Sequence, residues 1–177
     1  MTSFFERSAN PELWAFLESL PGGAVLAGTV AAIEPFGVFV ALDEGPAHPV
    51  FPGVGFITVP ELSWRHLEAV ADVVQVGQRV RCEFLQFDAW NLEARLSLRA
   101  TQPDPFQALA ERTVLGQELT GQVVKVVEQL GAVVEVGDGV VGLIREPIGD
   151  LVESDEQVAV VVAAIDRQAR KLELRLR

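Results

Sequence analysis

Short runs in which apolar and polar residues alternate recur along the chain, separated by turns rich in Gly, Pro and Asp. Residues 28–33 and 36–40 form one pair of such runs, and residues 121–126 and 130–134 repeat it, again led by a glycine. β-branched residues in short alternating runs favour β-strands. The chain therefore carries two copies of one strand pattern, which predicts small β-barrels rather than alternating strands and helices.

Each copy continues with three further runs of strand character. The first is a short strand led by glycine, at 55–58 in the first copy and 142–145 in the second. The next is a valine-rich strand that ends in aspartate, at Asp88 and Asp166. The last is a closing strand with alternating residues, at 94–99 and 171–175. The second copy is shorter because it lacks most of the proline-containing loop before its third strand. The predicted fold class is therefore mostly β, with two five-stranded barrels.

A helix that begins with proline precedes each predicted barrel. Asn10 followed by Pro11 is typical of a helix start, and Asp104 followed by Pro105 repeats the signal. A Pro-Gly-Gly stretch ends the first helix, and the second is expected to end near Thr113. The predicted organisation is an N-terminal helix, a first barrel, a helical linker and a second barrel, at 1–21, 22–100, 101–113 and 114–177.

The composition narrows the class of protein further. Of 177 residues, 49% are hydrophobic and 22% charged, which is typical of a globular protein with a sizeable core. No apolar run reaches the roughly 20 residues of a membrane-spanning helix, so we expect no membrane partner. The first residues lack the basic-then-apolar order of a secretory signal, which favours a cytoplasmic location.

Candidate chemistry is sparse along the chain. Cys82 is the single cysteine, and His48 and His66 stand apart from other metal-ligating residues, so the sequence predicts no disulfide and no metal site. No phosphate-binding loop, nucleophile motif or convincing pair of catalytic groups occurs. We therefore predict a protein that is not an enzyme and needs no cofactor.

The net charge is unfavourable for nucleic-acid binding. The formal net charge is −11, opposite in sign to the usual footprint of a nucleic-acid-binding protein. The excess of acidic residues is spread along the chain, so no basic domain is hidden by the total. Charge alone would therefore favour a protein partner over a nucleic acid.

Five motifs in the first copy change that interpretation. In order, they are Gly-Thr-Val-Ala-Ala-Ile at 28–33, Phe-Gly-Val-Phe-Val at 36–40, a strand opening Gly-Phe-Ile-Thr within 55–62, Val-Gly-Gln-Arg-Val at 76–80, and Asp88 with Leu-Ser-Leu at 96–98. This series resembles the S1-like RNA-binding module of the OB-fold class, and the segment 98–105 resembles the connection between tandem modules in the ribosomal protein that names the family. The resemblance covers both copies and implies binding of single-stranded RNA. The expected partners are mRNA and the ribosome.

The resemblance also assigns candidate residues in the first copy. Phe36 and Phe39 match the aromatic residues on which bases stack in this family. Thr58 occupies a position that is usually histidine, and Glu93 occupies one that is usually basic. A carboxylate there repels phosphate, which makes Arg95 the expected replacement cation.

Two further residues of the first copy have open roles. Arg99 is a second candidate for the missing cation. Trp90 lies in the turn between the fourth and fifth strands, a loop that OB-folds use for ligand contact. It either contacts RNA or packs against the end of the barrel.

The second copy departs further from the family. Leu130 and Val133 occupy the aromatic positions, so no ring remains for stacking. Lys125, Arg145 and Lys171 supply positive charge, either for a phosphate backbone or as ordinary solvated surface residues. The alternative function is therefore an acidic module that binds protein, with the second barrel as scaffold or docking surface.

Overall fold

A computed structural model describes residues 5–148 and 151–177. The chain divides into two compact units, Met1–Pro103 and Asp104–Arg177. No helix among the described residues has both the length and the apolar character needed to cross a membrane.

The first unit contains one helix and five strands. Their bounds are α1 Pro11–Ser19, β1 Val25–Glu34, β2 Gly37–Leu42, β3 Gly55–Thr58, β4 Arg79–Asp88 and β5 Glu93–Ser97. Short 3-10 turns lie at Val59–Glu61, Val70–Asp72 and Arg99–Thr101. The strands close into a barrel in the order β1-β2-β3-β5-β4, in which β3 and β5 are parallel and the other pairs antiparallel.

The second unit repeats this architecture. It consists of α2 Pro105–Arg112, β6 Glu118–Val127, β7 Gly131–Gly137, β8 Val140–Ile144, β9 Gln157–Asp166 and β10 Lys171–Leu176. These strands also close into a barrel, β10-β8-β7-β6-β9, with the corresponding parallel pair between β8 and β10. The prediction of two five-stranded barrels, each preceded by a short helix, is confirmed.

Alternation along the strands decides which side chains form each core. In β2, Val38 and Val40 are buried together with Ile57 of β3 and Leu96 of β5. Cys82 of β4 is also buried, and its burial raises the pKa of the thiol to about 12, so it behaves as a small apolar residue.

Each helix belongs to the core of the barrel that follows it. Leu13 and Leu17 of α1 pack into the first core. Phe106 and Leu109 of α2 pack into the second core, so the segment that the sequence suggests as a linker contributes its apolar face to the second unit. Apolar burial holds both helices in place, because each is too short to be stable alone.

The two helix starts differ in their capping contacts. The Asp104 carboxylate accepts hydrogen bonds from the backbone N–H groups of Phe106 and Gln107. Asn10 makes no such bond, and its side-chain amide instead donates to the carbonyl of Glu6. The Asx-Pro signal therefore places both starts correctly but produces a side-chain cap in one case.

A glycine at the start of β2 lets that strand approach β3 closely. A Cβ on Gly37 would clash with the carbonyl oxygen of Ile57. A Cβ on Gly131, at the equivalent position of β7, would clash with the carbonyl oxygen of Ile144. Glycine at these positions fixes the strand pairing beside the turns that carry Phe36 and Leu130.

Candidate nucleic-acid interface

Four phenylalanine rings cluster on one face of the first barrel. The ring of Phe36, in the turn before β2, is stacked on Phe56 of β3 with centroids 5.8 Å apart and an angle of 26° between planes. Phe39 of β2 lies 5.0 Å from Phe56 and 5.5 Å from Phe51, which follows β2 in a loop. Phe36 is 61% exposed, whereas Phe39 and Phe56 are buried. The cluster thus presents one open ring on a base of buried ones.

The loop that carries Phe51 is held by a buried histidine. The His48 ring stacks on Phe51 with centroids 4.5 Å apart, and its Nδ1 accepts hydrogen bonds from the N–H groups of Val50 and Phe51. Nδ1 is therefore unprotonated, and Nε2–H donates to the carbonyl of Asn91. Burial lowers the pKa of His48, outweighing the Asn91 hydrogen bond that raises it, so the ring is neutral near pH 7.

A groove of about 360 Å³ runs along this cluster. Its lining combines the four phenylalanines with polar residues of β3, β5 and the β4–β5 turn, namely Thr58, Asn91, Glu93 and Arg95. A second groove of about 430 Å³ shares Phe56, Thr58 and Arg95 and continues toward Glu61. Aromatic surface and charged side chains therefore meet in one place.

Arg95 is committed to contacts within the barrel. Its guanidinium donates through Nε and a terminal nitrogen to the carboxylate of Asp88, the shorter bond being 2.7 Å. It also lies over the Phe56 ring at 4.9 Å from the centroid. Arg95 is thus an ordered wall of the groove with most of its charge balanced by Asp88.

Asp88 organises the turn between β4 and β5. Besides Arg95, it accepts hydrogen bonds from the backbone N–H groups of Trp90 and Asn91 and from the Asn91 side-chain amide. Burial raises the pKa of Asp88, but the bonds from Arg95 and Asn91 outweigh it and hold the pKa below its usual value. Asp88 is therefore ionised at neutral pH and fixes the residues on both sides of the turn.

Glu93 is a buried carboxylate at the start of β5. It is 4% exposed, and its nearest cation is the Arg95 guanidinium at 3.6 Å, beyond hydrogen-bond distance. Burial raises the pKa of Glu93 to about 7; Arg95 lowers it and Asp88 raises it further. The residue that departs from the family pattern thus lies in the groove itself.

Arg99 and Trp90 lie outside the aromatic groove. Arg99 bonds to Glu61, with Nε 3.2 Å from the carboxylate, and lies over the ring of Trp64. Trp90 is 54% exposed. Its neighbour Asn91 lines the groove, whereas Trp90 is not among the described residues that do so.

The second barrel has a groove at the equivalent place with different chemistry. It has a volume of about 460 Å³ and is lined mainly by aliphatic residues, including Leu130, Val133 and Leu143. Leu130 is 69% exposed. Arg145 borders the groove and pairs with Glu173 at 3.2 Å. The apolar surface is kept, but no aromatic ring lines this groove.

The two lysines predicted for the second barrel lie on its surface. Lys125 is on β6 and Lys171 begins β10, and both side chains are exposed. Within the described parts of the chain, neither forms an ion pair or lines the groove beside Leu130. The structure therefore does not bring Lys125 and Lys171 together with Arg145 in that groove.

Comparison with known proteins identifies the first barrel. Residues 19–99 match the family model described as the S1 RNA binding domain. Residues 19–99 form an S1 domain. The aromatic groove, built from β2, β3 and β5, lies within this matched region.

Relatives of the chain that carries this S1 domain align over nearly its whole length. It is 36% identical to the small ribosomal subunit protein bS1 of Mycolicibacterium smegmatis, over 99% of this chain and 36% of that protein. It is 32% identical to the bS1 homolog of Bacillus subtilis, over 91% of this chain and 42% of that protein. The solution structure of GSP13 from Bacillus subtilis matches 54% of this chain and 74% of its own at 24% identity, with a TM-score of 0.40. The chain thus spans well under half the length of both ribosomal relatives.

The aromatic groove of the S1 domain contains residues that the sequence analysis did not predict. Phe56 could have been found, because it is two positions from Thr58 on the same strand and strand neighbours two apart share a face. Phe51 comes from an irregular proline-rich loop, and no periodicity marks it. Asn91 is held at the groove by its hydrogen bonds to Asp88, and these bonds form only in the folded turn.

Proposed function

We propose that this chain binds single-stranded RNA through the aromatic groove of its S1 domain, in association with translation. The exposed ring of Phe36, fixed on buried Phe56, is the observation that supports RNA binding most directly. Its similarity to small ribosomal subunit proteins supports the link to translation. The ribosome and mRNA are therefore the proposed partners, and the cytoplasm is the proposed location.

Stacking is the main proposed source of affinity. A base laid on Phe36 would be held by a ring that the stack on Phe56 already orders, so little side-chain entropy is lost on binding. Stacking contributes about 1–3 kcal/mol per base and accepts every base. Phe39 stabilises the site from beneath, because it is buried against Phe56.

Phosphate contacts are proposed to be secondary. Arg95, which lines the groove, is paired with Asp88, and Arg99 is paired with Glu61. Lys125 is exposed on the second barrel and is proposed, with Lys171, to hold part of an RNA backbone. We propose a binding role without catalysis.

Fluorescence anisotropy of a labelled single-stranded oligouridylate at low salt tests the proposal. Phe36→Ala should weaken binding by about five- to 150-fold, the equivalent of one lost stacking interaction. Leu130→Ala is the matched control, since it truncates an exposed apolar residue at the equivalent position of the second barrel. Equal effects of the two substitutions, or no binding up to about 100 μM protein, would refute the proposal.

The alternative, protein binding, is favoured by one feature of the second barrel. The groove beside Leu130 is apolar and open, which is the character of a surface that contacts protein. If RNA binding is absent in the intact chain while Leu130→Ala changes its association with ribosomal subunits, the protein-binding function replaces the first.

A further inference from the structure

The carboxylate of Glu93 in the aromatic groove forms no hydrogen bond with any described residue. The side chain of Glu93 is 5% exposed and lines the groove with Phe36, Phe39 and Phe56. Among the described residues, no donor forms a hydrogen bond to its carboxylate, and Arg95 approaches to 3.6 Å. Buried carboxylates in folded proteins are normally hydrogen-bonded, because desolvation without a partner is costly.

Arg95 forms an ion pair with Glu93 at 3.6 Å, but both of its hydrogen bonds go to Asp88. Asp88 receives two of these bonds together with three from Trp90 and Asn91, so this network is already complete. A molecule entering the groove would therefore find an acceptor to which no described side chain donates a hydrogen bond. The ionised form of Glu93, which prevails above pH 7, can only accept hydrogen bonds, so the missing partner of this form is a donor.

The four RNA bases differ in what they offer such an acceptor. Guanine presents two adjacent donors, N1–H and N2–H, which match the two oxygens of a carboxylate. Cytosine and adenine each place a lone pair beside their amino donor, and uracil places a carbonyl on both sides of its N3–H. Base edges splayed out of a single strand are available for this kind of recognition.

We propose that Glu93 makes the groove selective for guanine, by accepting hydrogen bonds from N1–H and N2–H of a base stacked on Phe36. The inference rests on the proposed RNA-binding function and adds a base preference to it. Glu93 is then a specificity residue, and its place at a normally basic position exchanges a phosphate contact for a base contact. Phe36 and Glu93 both line the groove of about 360 Å³, so a base bound there meets the ring and the carboxylate in one site.

The test measures binding of the intact protein at pH 8, where Glu93 is ionised, to short oligouridylates that carry one central guanosine, adenosine, inosine or no substitution. Guanosine should bind about five- to 150-fold more tightly than adenosine, the range for one bidentate base contact. Inosine keeps N1–H and lacks the N2 amino group, so its affinity should lie between those of guanosine and adenosine. Because this arm uses the unmodified protein, its result does not depend on how a variant folds.

A variant assigns the preference to the carboxylate. Glu93→Gln keeps the shape of the side chain but replaces one acceptor by a donor, so the guanosine-to-adenosine ratio should fall to about one. Glu44→Gln is the control, because it removes the same charge from an exposed position of the same unit and should keep the ratio. The ratio is compared rather than the affinity, since either variant reduces general repulsion of phosphate.

The outcomes separate the inference from the function on which it rests. Equal binding of all four oligonucleotides overturns the role of Glu93 and leaves RNA binding in place. A guanosine preference that survives Glu93→Gln also overturns it, because another group must then read the base. Absence of binding to every oligonucleotide refutes the proposed function itself.

Discussion

The carboxylate of Glu93 lies 3.6 Å from the guanidinium of Arg95, but the hydrogen bonds of that guanidinium go to Asp88. Glu93 is therefore buried beside a cation that only partly compensates its charge. Burial raises its pKa to about 7, Arg95 opposes the rise and Asp88 adds to it. Its protonation consequently changes near neutral pH, unlike that of Asp88, whose pKa is held low.

This raised pKa predicts a pH-dependent stability. Between pH 4.5, the ordinary value for Glu, and about 7, the folded protein holds a proton on Glu93 that the unfolded chain has lost. Protonation therefore favours the folded state at low pH, and Glu93 lowers the free energy of unfolding as pH rises through this interval. We expect Glu93→Gln to match the natural protein near pH 4.5 and to be more stable at pH 8 by about 1–3 kcal/mol.

Urea unfolding of the full chain, followed by tryptophan fluorescence, measures this difference. All three tryptophans lie in the first unit, so the signal reports the barrel that contains Glu93. Glu44→Gln serves as the control, because Glu44 is exposed and its removal should not produce the same pH dependence. A constant difference between natural protein and Glu93→Gln from pH 4.5 to 8 would contradict the raised pKa.

Asp88→Ala should destabilise the first barrel. The substitution leaves the N–H groups of Trp90 and Asn91 and the guanidinium of Arg95 without their acceptor. We expect the free energy of unfolding detected by tryptophan fluorescence to fall by about 1–3 kcal/mol. Asp166→Ala makes the same change at the equivalent position of the second barrel and should leave the tryptophan-detected transition unchanged. A similar loss in both variants would contradict this role.

The repeat and its turns made the two barrels predictable, because strand alternation and glycine-led pairing are local properties of sequence. Phe36 could be placed for the same reason, and Phe56 follows from alternation with Thr58. The partners of Arg95 could not, since Asp88 and Glu93 both stand close to it in sequence and only the folded turn decides which accepts its bonds. The membership of α2 in the second core likewise depends on tertiary packing.

Asp104→Ala should weaken the second unit through the start of α2. Asp104 accepts from the N–H groups of Phe106 and Gln107 and pairs with Arg170, so its loss removes a helix cap and an ion pair. A cap of this kind contributes about 0.5–2 kcal/mol. Far-ultraviolet circular dichroism in urea should therefore show an earlier transition, without a change in the tryptophan-detected one.

Asn10→Ala provides the comparison for that cap. Its side chain donates to the carbonyl of Glu6 and caps no helical N–H, so the tryptophan-detected stability of the first unit should change by less than about 0.5 kcal/mol. A loss as large as that from Asp104→Ala would show that the Asx-Pro signal stabilises both helices equally.

RNA binding should depend only weakly on salt, despite the usual dominance of phosphate contacts. Arg79 and Arg145, like Arg95, are paired with carboxylates of their own barrels, so few cations are available to displace counterions. With roughly one to three phosphates neutralised, the slope of log K against log salt should lie between about −0.7 and −2. Anisotropy titrations over a series of KCl concentrations measure this slope, and Lys125→Ala should reduce its magnitude by about 0.7 if that lysine contacts a phosphate. A slope steeper than about −4 would contradict this prediction, because the affinity would then come from a basic surface elsewhere on the protein. The acidic net charge would in that case not explain why the site relies on stacking.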